Sequence, residues 1–183
     1  MQTLIKQYFK HFDKGQAGMA ASPQSLNFCI SLFEKIKPLS ILDAGSGLSS
    51  IMFHFIHQNV TTIDDNLKWA MKTEKIIGSE LSKTIEIRNI NSVLEKNFDF
   101  VFYDYGDIET RIYYYQVALF LCNSVMYIDD MHINFYSEYI FSRSKQYKLV
   151  NLEDKTKDEF GRYGYLLIKN AAYNELANQM LCC

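Results

Sequence analysis

Four short apolar segments and one alternating segment in this 183-residue chain each run into an acid or an amide, and that repetition limits what the chain can fold into. Residues 39–42 lead to Asp43, 60–63 to Asp64, 84–88 through a short exit loop to Asn91, 98–103 to Asp104, and 125–128 to Asp129 and Asp130. All five are too short for helices and rich in β-branched or aromatic residues, so they read as strands. Residues 98–103 are almost continuously apolar, as a strand covered on both faces should be.

Helical patterns fill the space between them. Leu4, Ile5, Tyr8, Phe9 and Phe12 form an apolar stripe at the start of the chain, and a small-residue loop over 13–21 follows as a candidate lid. Ser22-Pro23 reads as an N-cap with proline at the first helical position, and Leu26, Cys29, Ile30, Phe33 and Ile36 are the buried face of the helix it starts. A helix over 50–58 contains His54 and His57, which read as packed or surface residues rather than ligands. Asn66 caps a helix that Gly78 should stop, and Asp107 caps another in which Ile108, Ile112, Tyr115 and Leu119 share a face. A further helix is expected over 134–145 and a short last one over 172–180. The segments 147–152 and 163–169 are strands separated by a polar loop without a helical pattern, which makes them antiparallel.

The order is therefore two helices, a five-fold alternation of strand and helix, and a hairpin. It predicts an α/β fold: a doubly wound, mostly parallel, Rossmann-like sheet of seven strands, with an antiparallel C-terminal hairpin and helices on both faces. With no internal repeat or linker, residues 1–183 are expected to form one domain. Residues 1–38 would supply the N-terminal helices and lid, and 39–183 the ligand-binding core.

Bulk properties remove several function classes. A net charge of −2 gives no general electrostatic reason to expect nucleic acid or an acidic membrane as partner. No apolar run is long enough to cross a bilayer, and the N-terminal segment carries Lys6 and Lys10 where a signal peptide needs an apolar centre. Cys29 and Cys122 read as small core residues, no metal-type cysteine spacing exists, and nothing beside Cys182-Cys183 marks that pair for lipidation. The expected location is the cytoplasm.

In a doubly wound sheet, ligands bind beyond the carboxyl ends of the strands, where strand order reverses. All five acid or amide positions should converge there. The first strand ends in Asp43-Ala44-Gly45-Ser46-Gly47, a tight turn into a helix start whose glycines admit close approach of a ligand. Asp64 follows about twenty residues later, where a second-strand acid can accept hydrogen bonds from ribose hydroxyls. Asp65 reads better as a helix cap.

Asp-Ala-Gly-Ser-Gly-Leu-Ser at 43–49 resembles the first motif of class I S-adenosylmethionine-dependent methyltransferases, acid-x-Gly-x-Gly-x-Gly, with Ser49 in place of the third glycine. The acid at 64, the segment 98–104, Ile-Asp-Asp at 128–130 and the final hairpin resemble the family's later motifs in order, over roughly residues 22 to 169. The resemblance implies that Gly45 and Gly47 bound the methionine side of the cofactor, that Asp64 binds its ribose, and that Asn91 approaches the adenine. Asp43, Ser46 and Asp104 complete the cofactor-facing set. It further implies methyl transfer from S-adenosylmethionine, with oxygen of a small molecule as the expected acceptor.

Asp104, Asp129 and Asp130, leaving adjacent strands, can bring oxygen ligands together for Mg²⁺. That arrangement is similar to the metal-dependent catechol-type and sugar-type O-methyltransferases. Asp104, Asp130 and His132 are then the catalytic candidates, His132 as base or ligand. The plainer alternative is that Asp129-Asp130 caps the next helix and His132 sits in a solvated loop. Two other functions stay open: a methyltransferase-fold binding or regulatory protein without catalysis, and a nicotinamide-dependent oxidoreductase. The latter fits less well, because its Gly-x-Gly-x-x-Gly fingerprint meets Ser50 and its pyrophosphate would meet Asp43.

Overall fold

The computed structural model of the protein describes residue 6 and residues 20–175. Helix α1 (Pro23–Ile36) starts at Ser22, whose hydroxyl accepts from the Ser25 amide, and ends with Lys37 in the left-handed region. Then follow β1 (Ile41–Ala44), α2 (Leu48–Ile56), β2 (Val60–Ile63), α3 (Leu67–Leu81), β3 (Phe98–Tyr103), α4 (Ile108–Leu121), β4 (Cys122–Ile128), α5 (Asn134–Arg143), β5 (Lys148–Asn151), a single helical turn α6 (Glu153–Thr156) and β6 (Tyr165–Ile168). Asn66 and Asp107 cap α3 and α4 through their side chains, as their sequence positions predict.

The sheet runs β2-β1-β3-β4-β6-β5. Its first four strands are parallel, and β6 lies antiparallel to both β4 and β5. The chain goes from β1 out to β2 on one side and then to β3 on the other, so strand order reverses between β1 and β3. Their carboxyl ends open the crevice in which such folds bind ligands.

Alternation along the strands divides the interior in two. Phe100, Phe102, Val125 and Tyr127 point to the face covered by α1 and α2, while Val101, Tyr103, Met126 and Ile128 point to the face covered by α4 and α5. On the first face the aromatic rings form a continuous series: Phe33 meets Phe100 edge-on at 4.7 Å, and Phe102 stacks on Tyr127 at 5.0 Å. The Tyr127 hydroxyl donates to Ser25 Oγ at 2.6 Å, satisfying the one polar atom this ring takes inside.

Six strands, not seven, are formed among the described residues. The expected third strand, 84–88, makes one parallel bridge, Ile63 to Arg88, and no ladder. Its Ile87 amide donates to the Glu74 carboxylate of α3 at 2.6 Å. The exit loop after that segment forms a 3-10 turn, Ile90–Val93. Gly78 does not stop α3, which continues to Leu81 until Ser82 adopts the left-handed conformation. Cys122, read as a small core residue, is buried and begins β4. The expected helix over 4–12 and the loop 13–19 lie outside the described residues, as does most of the expected last helix; Ala171–Tyr173 form a 3-10 turn at its start.

Candidate functional site

The first end of the site is built where β1 gives way to the glycine turn. Gly45 has a φ of +106°, and a Cβ there would stand 2.1 Å from the Asp104 carbonyl oxygen, so no side chain can be placed at this crossing of two strand exits. The next residue reaches across to β2: the Ser46 amide and hydroxyl both donate to Asp64 Oδ2, at 2.7 and 2.6 Å. The Asn66 amide donates to Asp64 Oδ1 at 2.7 Å. Burial pushes the Asp64 carboxyl above its ordinary value, while these donors pull the other way. Trp69, one turn into α3, donates its indole N–H to the Ser46 carbonyl at 2.5 Å.

Asp43 is buried behind this turn. Its Oδ2 accepts from Ser50 Oγ at 2.5 Å and Thr62 Oγ1 at 3.2 Å, and its Oδ1 is buried without a hydrogen-bond partner. Burial lifts its pKa to about 7, against the hydroxyl donors. Gly47 is the N-cap of α2, and its amide donates to Ser50 Oγ at 3.0 Å. Ser49 is buried in the first turn of α2 and turns its hydroxyl towards the Gly45 carbonyl at 3.4 Å, so its side chain folds back onto the loop it follows. His54 packs against Thr62 and His57 against the Pro38 carbonyl, as their structural reading expects.

The second end is built where β3 and β4 stop side by side, with Tyr103 paired to Ile128 in parallel register. That register brings Asp104, Asp129 and Asp130 together. Between them stands a residue that strand-exit reasoning does not single out. Arg111, in the first turns of α4 and buried, bonds Asp104 Oδ1 through Nη2 and Asp130 Oδ2 through Nη1, the latter at 2.8 Å. Its Nε and Nη2 also reach the Gly106 carbonyl, at 3.3 and 3.2 Å. Burial works against the charge on Arg111, but the two carboxylates more than offset it and hold its pKa above the ordinary value. Burial raises Asp104, and burial together with the Asp130 charge lifts Asp129 to about 6. Asp130 itself has a φ of +56°, a left-handed conformation that Asp tolerates better than most residues. His132 places Nδ1 3.6 Å from Asp130 Oδ1, and that nitrogen is buried without a hydrogen-bond partner.

The two ends share one cavity of about 570 Å³. Gly45, Ser46 and Asp64 line one part of it, and Asp104, Asp129, Asp130 and His132 the other, with Trp69, Asp65, Arg111 and Arg162 between and around them. Three predicted cofactor residues are not on its walls: Asp43 and Gly47 support the turn from behind, and Asn91 is exposed on the 3-10 turn, where its amide bonds Asn89. Tyr105 and Tyr115 are buried in the core on the α4 and α5 side of the sheet, and Tyr113 is exposed. A larger hollow, about 680 Å³, follows the outer edge of β2 where the expected third strand is missing, and shares no residue with the strand-exit cavity.

The Mg²⁺ arrangement predicted for Asp104, Asp129 and Asp130 is not built. A guanidinium already binds two of the three carboxylates, and among the described residues no group of three His, Cys, Asp or Glu side chains is placed to hold a metal ion. Nor is any described helix long and apolar enough to cross a membrane. Sequence reasoning missed Arg111 and Trp69. The available signal for Arg111 was the excess of acids over visible counter-charge at the strand exits, with the nearest cation one turn into the following helix.

No family model matches the sequence, and no curated protein does. Solved structures do match. The O-methyltransferase from Bacillus cereus in complex with SAH is similar at a TM-score of 0.70 and 19% identity, over 92% of this chain and 91% of that one. The O-methyltransferase TomG from Streptomyces achromogenes, involved in tomaymycin synthesis and solved with SAM, gives 0.65 and 17% over 93% and 91%. Magnesium protoporphyrin IX methyltransferase from Synechocystis, with bound SAM, gives 0.56 and 13% over 79% and 76%. The fold is the Rossmann-like α/β fold of class I methyltransferases.

Proposed function

We propose that the protein is an S-adenosylmethionine-dependent methyltransferase, a single domain acting in the cytoplasm on an oxygen of a small-molecule acceptor. The observation that carries this reading is the continuity of one cavity from the glycine turn and Asp64 to Asp130 and His132, across the point of strand reversal. Its size of about 570 Å³ falls in the range of small-ligand sites. The buried free thiols of Cys29 and Cys122 suit a reducing compartment.

The residues present fit the cofactor. A carboxylate has about four acceptor positions; Asp64 uses three of them on Ser46 and Asn66, and Asp65 lies beside it on the same wall. Together they can take the two ribose hydroxyls, and Gly45, Ser46 and Trp69 bound the same end. When bound, S-adenosylmethionine supplies an electrophilic methyl group on a sulfonium. The chain's own part is to hold the acceptor oxygen in line and to take its proton. Asp130 is committed to Arg111 through Oδ2, its Oδ1 lies 3.6 Å from His132 Nδ1, beyond hydrogen-bond length, and in this reading His132 takes the proton. Asp104 holds Arg111 rather than the acceptor.

Calorimetry with S-adenosylmethionine and S-adenosylhomocysteine tests the cofactor site. Wild type should bind both, and Asp64→Ala should lose at least about tenfold in affinity. Equal affinity in the variant counts against the ribose assignment. Mass-spectrometric detection of S-adenosylhomocysteine formed with a panel of hydroxylated small molecules then separates an enzyme from a silent binder.

A further inference from the structure

We propose that Arg111 is the resident cation of the acceptor end, standing where a divalent metal would otherwise join Asp104 and Asp130, and that the acids bind such a metal only when the guanidinium is removed. Three features support this. First, both carboxylates are engaged by different nitrogens of one guanidinium, Asp104 through Nη2 and Asp130 through Nη1. Second, the fork is fixed from its own element: the Gly106 carbonyl accepts from Nε and Nη2, and the Asp107-capped start of α4 sets where the side chain begins. Third, Arg111 is buried yet forms part of the cavity wall, so its charge faces the space the acceptor would occupy.

A metal ion would have to displace this guanidinium or leave the acids unchanged. Guanidinium is never deprotonated in a protein and is weakly hydrated, so it is suited to a permanent buried ion pair, whereas Mg²⁺ gives up its water reluctantly. Its planar fork also matches two carboxylates at once. Asp129, the third acid, lies beside the pair and would complete an oxygen set once the arginine is gone. The claim about turnover rests on the methyltransferase reading; the claim about cation binding does not.

Titration with Mn²⁺, followed by electron paramagnetic resonance of the free ion, reads the second claim directly. Wild type should show no bound Mn²⁺ that Asp104→Asn or Asp130→Asn removes. Arg111→Ala should bind Mn²⁺ at least about tenfold more tightly than wild type, and adding Asp130→Asn should abolish the gain. Stoichiometric Mn²⁺ binding by wild type that depends on Asp104 overturns the proposal. So does a folded Arg111→Ala, checked by circular dichroism, that gains no Mn²⁺ affinity. Should Arg111→Ala not fold, Arg111→Lys keeps one charge but cannot span both acids, and the same gain is expected in weaker form. If the protein turns over, its rate should be unchanged by EDTA, and a rate abolished by EDTA and restored by Mg²⁺ overturns the proposal independently.

Discussion

The two ends of the cavity use the same kind of side chain and satisfy it by different chemistry. At the glycine turn, Asp43 and Asp64 are met by neutral donors: serine and threonine hydroxyls and backbone amides, from β2, the turns after β1 and β2, and the first turn of α2. At the β3–β4 end, Asp104 and Asp130 are met by a full positive charge from one arginine. Neutral donors can be removed one at a time, each at modest cost, and they leave acceptor capacity for a ligand. A buried cation shared by two acids cannot be removed without leaving charges unpaired. The glycine-turn end therefore keeps acceptor capacity for hydroxyl groups, and the other end holds fixed charge at the cavity wall.

The largest expected effect comes from breaking the charged end. Arg111→Met keeps much of the side-chain volume but leaves Asp104 and Asp130 facing each other without a counter-charge. We expect a loss of about 3–5 kcal/mol in urea unfolding, the usual cost of removing one partner of a buried ion pair. Asp64→Asn at the neutral end should cost less, about 1–2 kcal/mol, because the amide oxygen still accepts from Ser46 and only the Asn66 amide loses its acceptor. Similar losses in the two variants would erase the distinction between the ends.

A smaller effect separates them by pH. Asp43 is lifted to about 7 by burial, from the ordinary aspartate value of 3.8. Between those values the native protein keeps a proton that the unfolded chain has lost. Stability attributable to this group therefore falls as pH rises through the window and levels off above it, with a slope of up to about 1.4 kcal/mol per pH unit. Asp43→Asn carries no charge at any pH and should lack this slope. Asp129, which shifts in the same direction, is present in both proteins and cancels in the comparison. Urea unfolding at pH 5 and pH 7.5 checks it: parallel losses in wild type and variant would mean that Asp43 is ionised throughout.

How much of this was readable in the sequence differs between the ends for the same reason. Ser22-Pro23, Asn66 and Asp107 mark helix starts because caps are local, decided within three residues. The turn at 43–47 and the acid at 64 were legible because strand exits and their spacing are set by the chain's own period. Arg111 was not, since a charged residue in Ile-Glu-Thr-Arg-Ile reads as a helix surface until the β3–β4 register brings two acids over it. The missing strand at 84–88 is a tertiary outcome too: Ile85 and Ile87 alternate as a strand should, but only Arg88 bridges to β2, while a side chain of α3, Glu74, binds the Ile87 amide. Asn91 lost its expected place on the cavity wall with that strand.

The smallest effect sharpens the neutral end. Trp69 is the protein's one tryptophan, and its indole N–H closes the loop around Ser46 by donating to the carbonyl of the same residue whose amide and hydroxyl hold Asp64. Trp69→Phe keeps an aromatic ring on the cavity wall and removes that donor. Stability should fall by about 0.5–1.5 kcal/mol, the net worth of one hydrogen bond. Affinity for S-adenosylmethionine should fall by a factor of a few if the proposed site is right, since Ser46 then keeps only Asp64 and a long contact to Thr73, while the Arg111–Asp104–Asp130 cluster is untouched. Calorimetry on the variant decides between two roles for the ring. Unchanged affinity would mean that Asp64 alone fixes Ser46, and that the tryptophan serves the cavity by its surface.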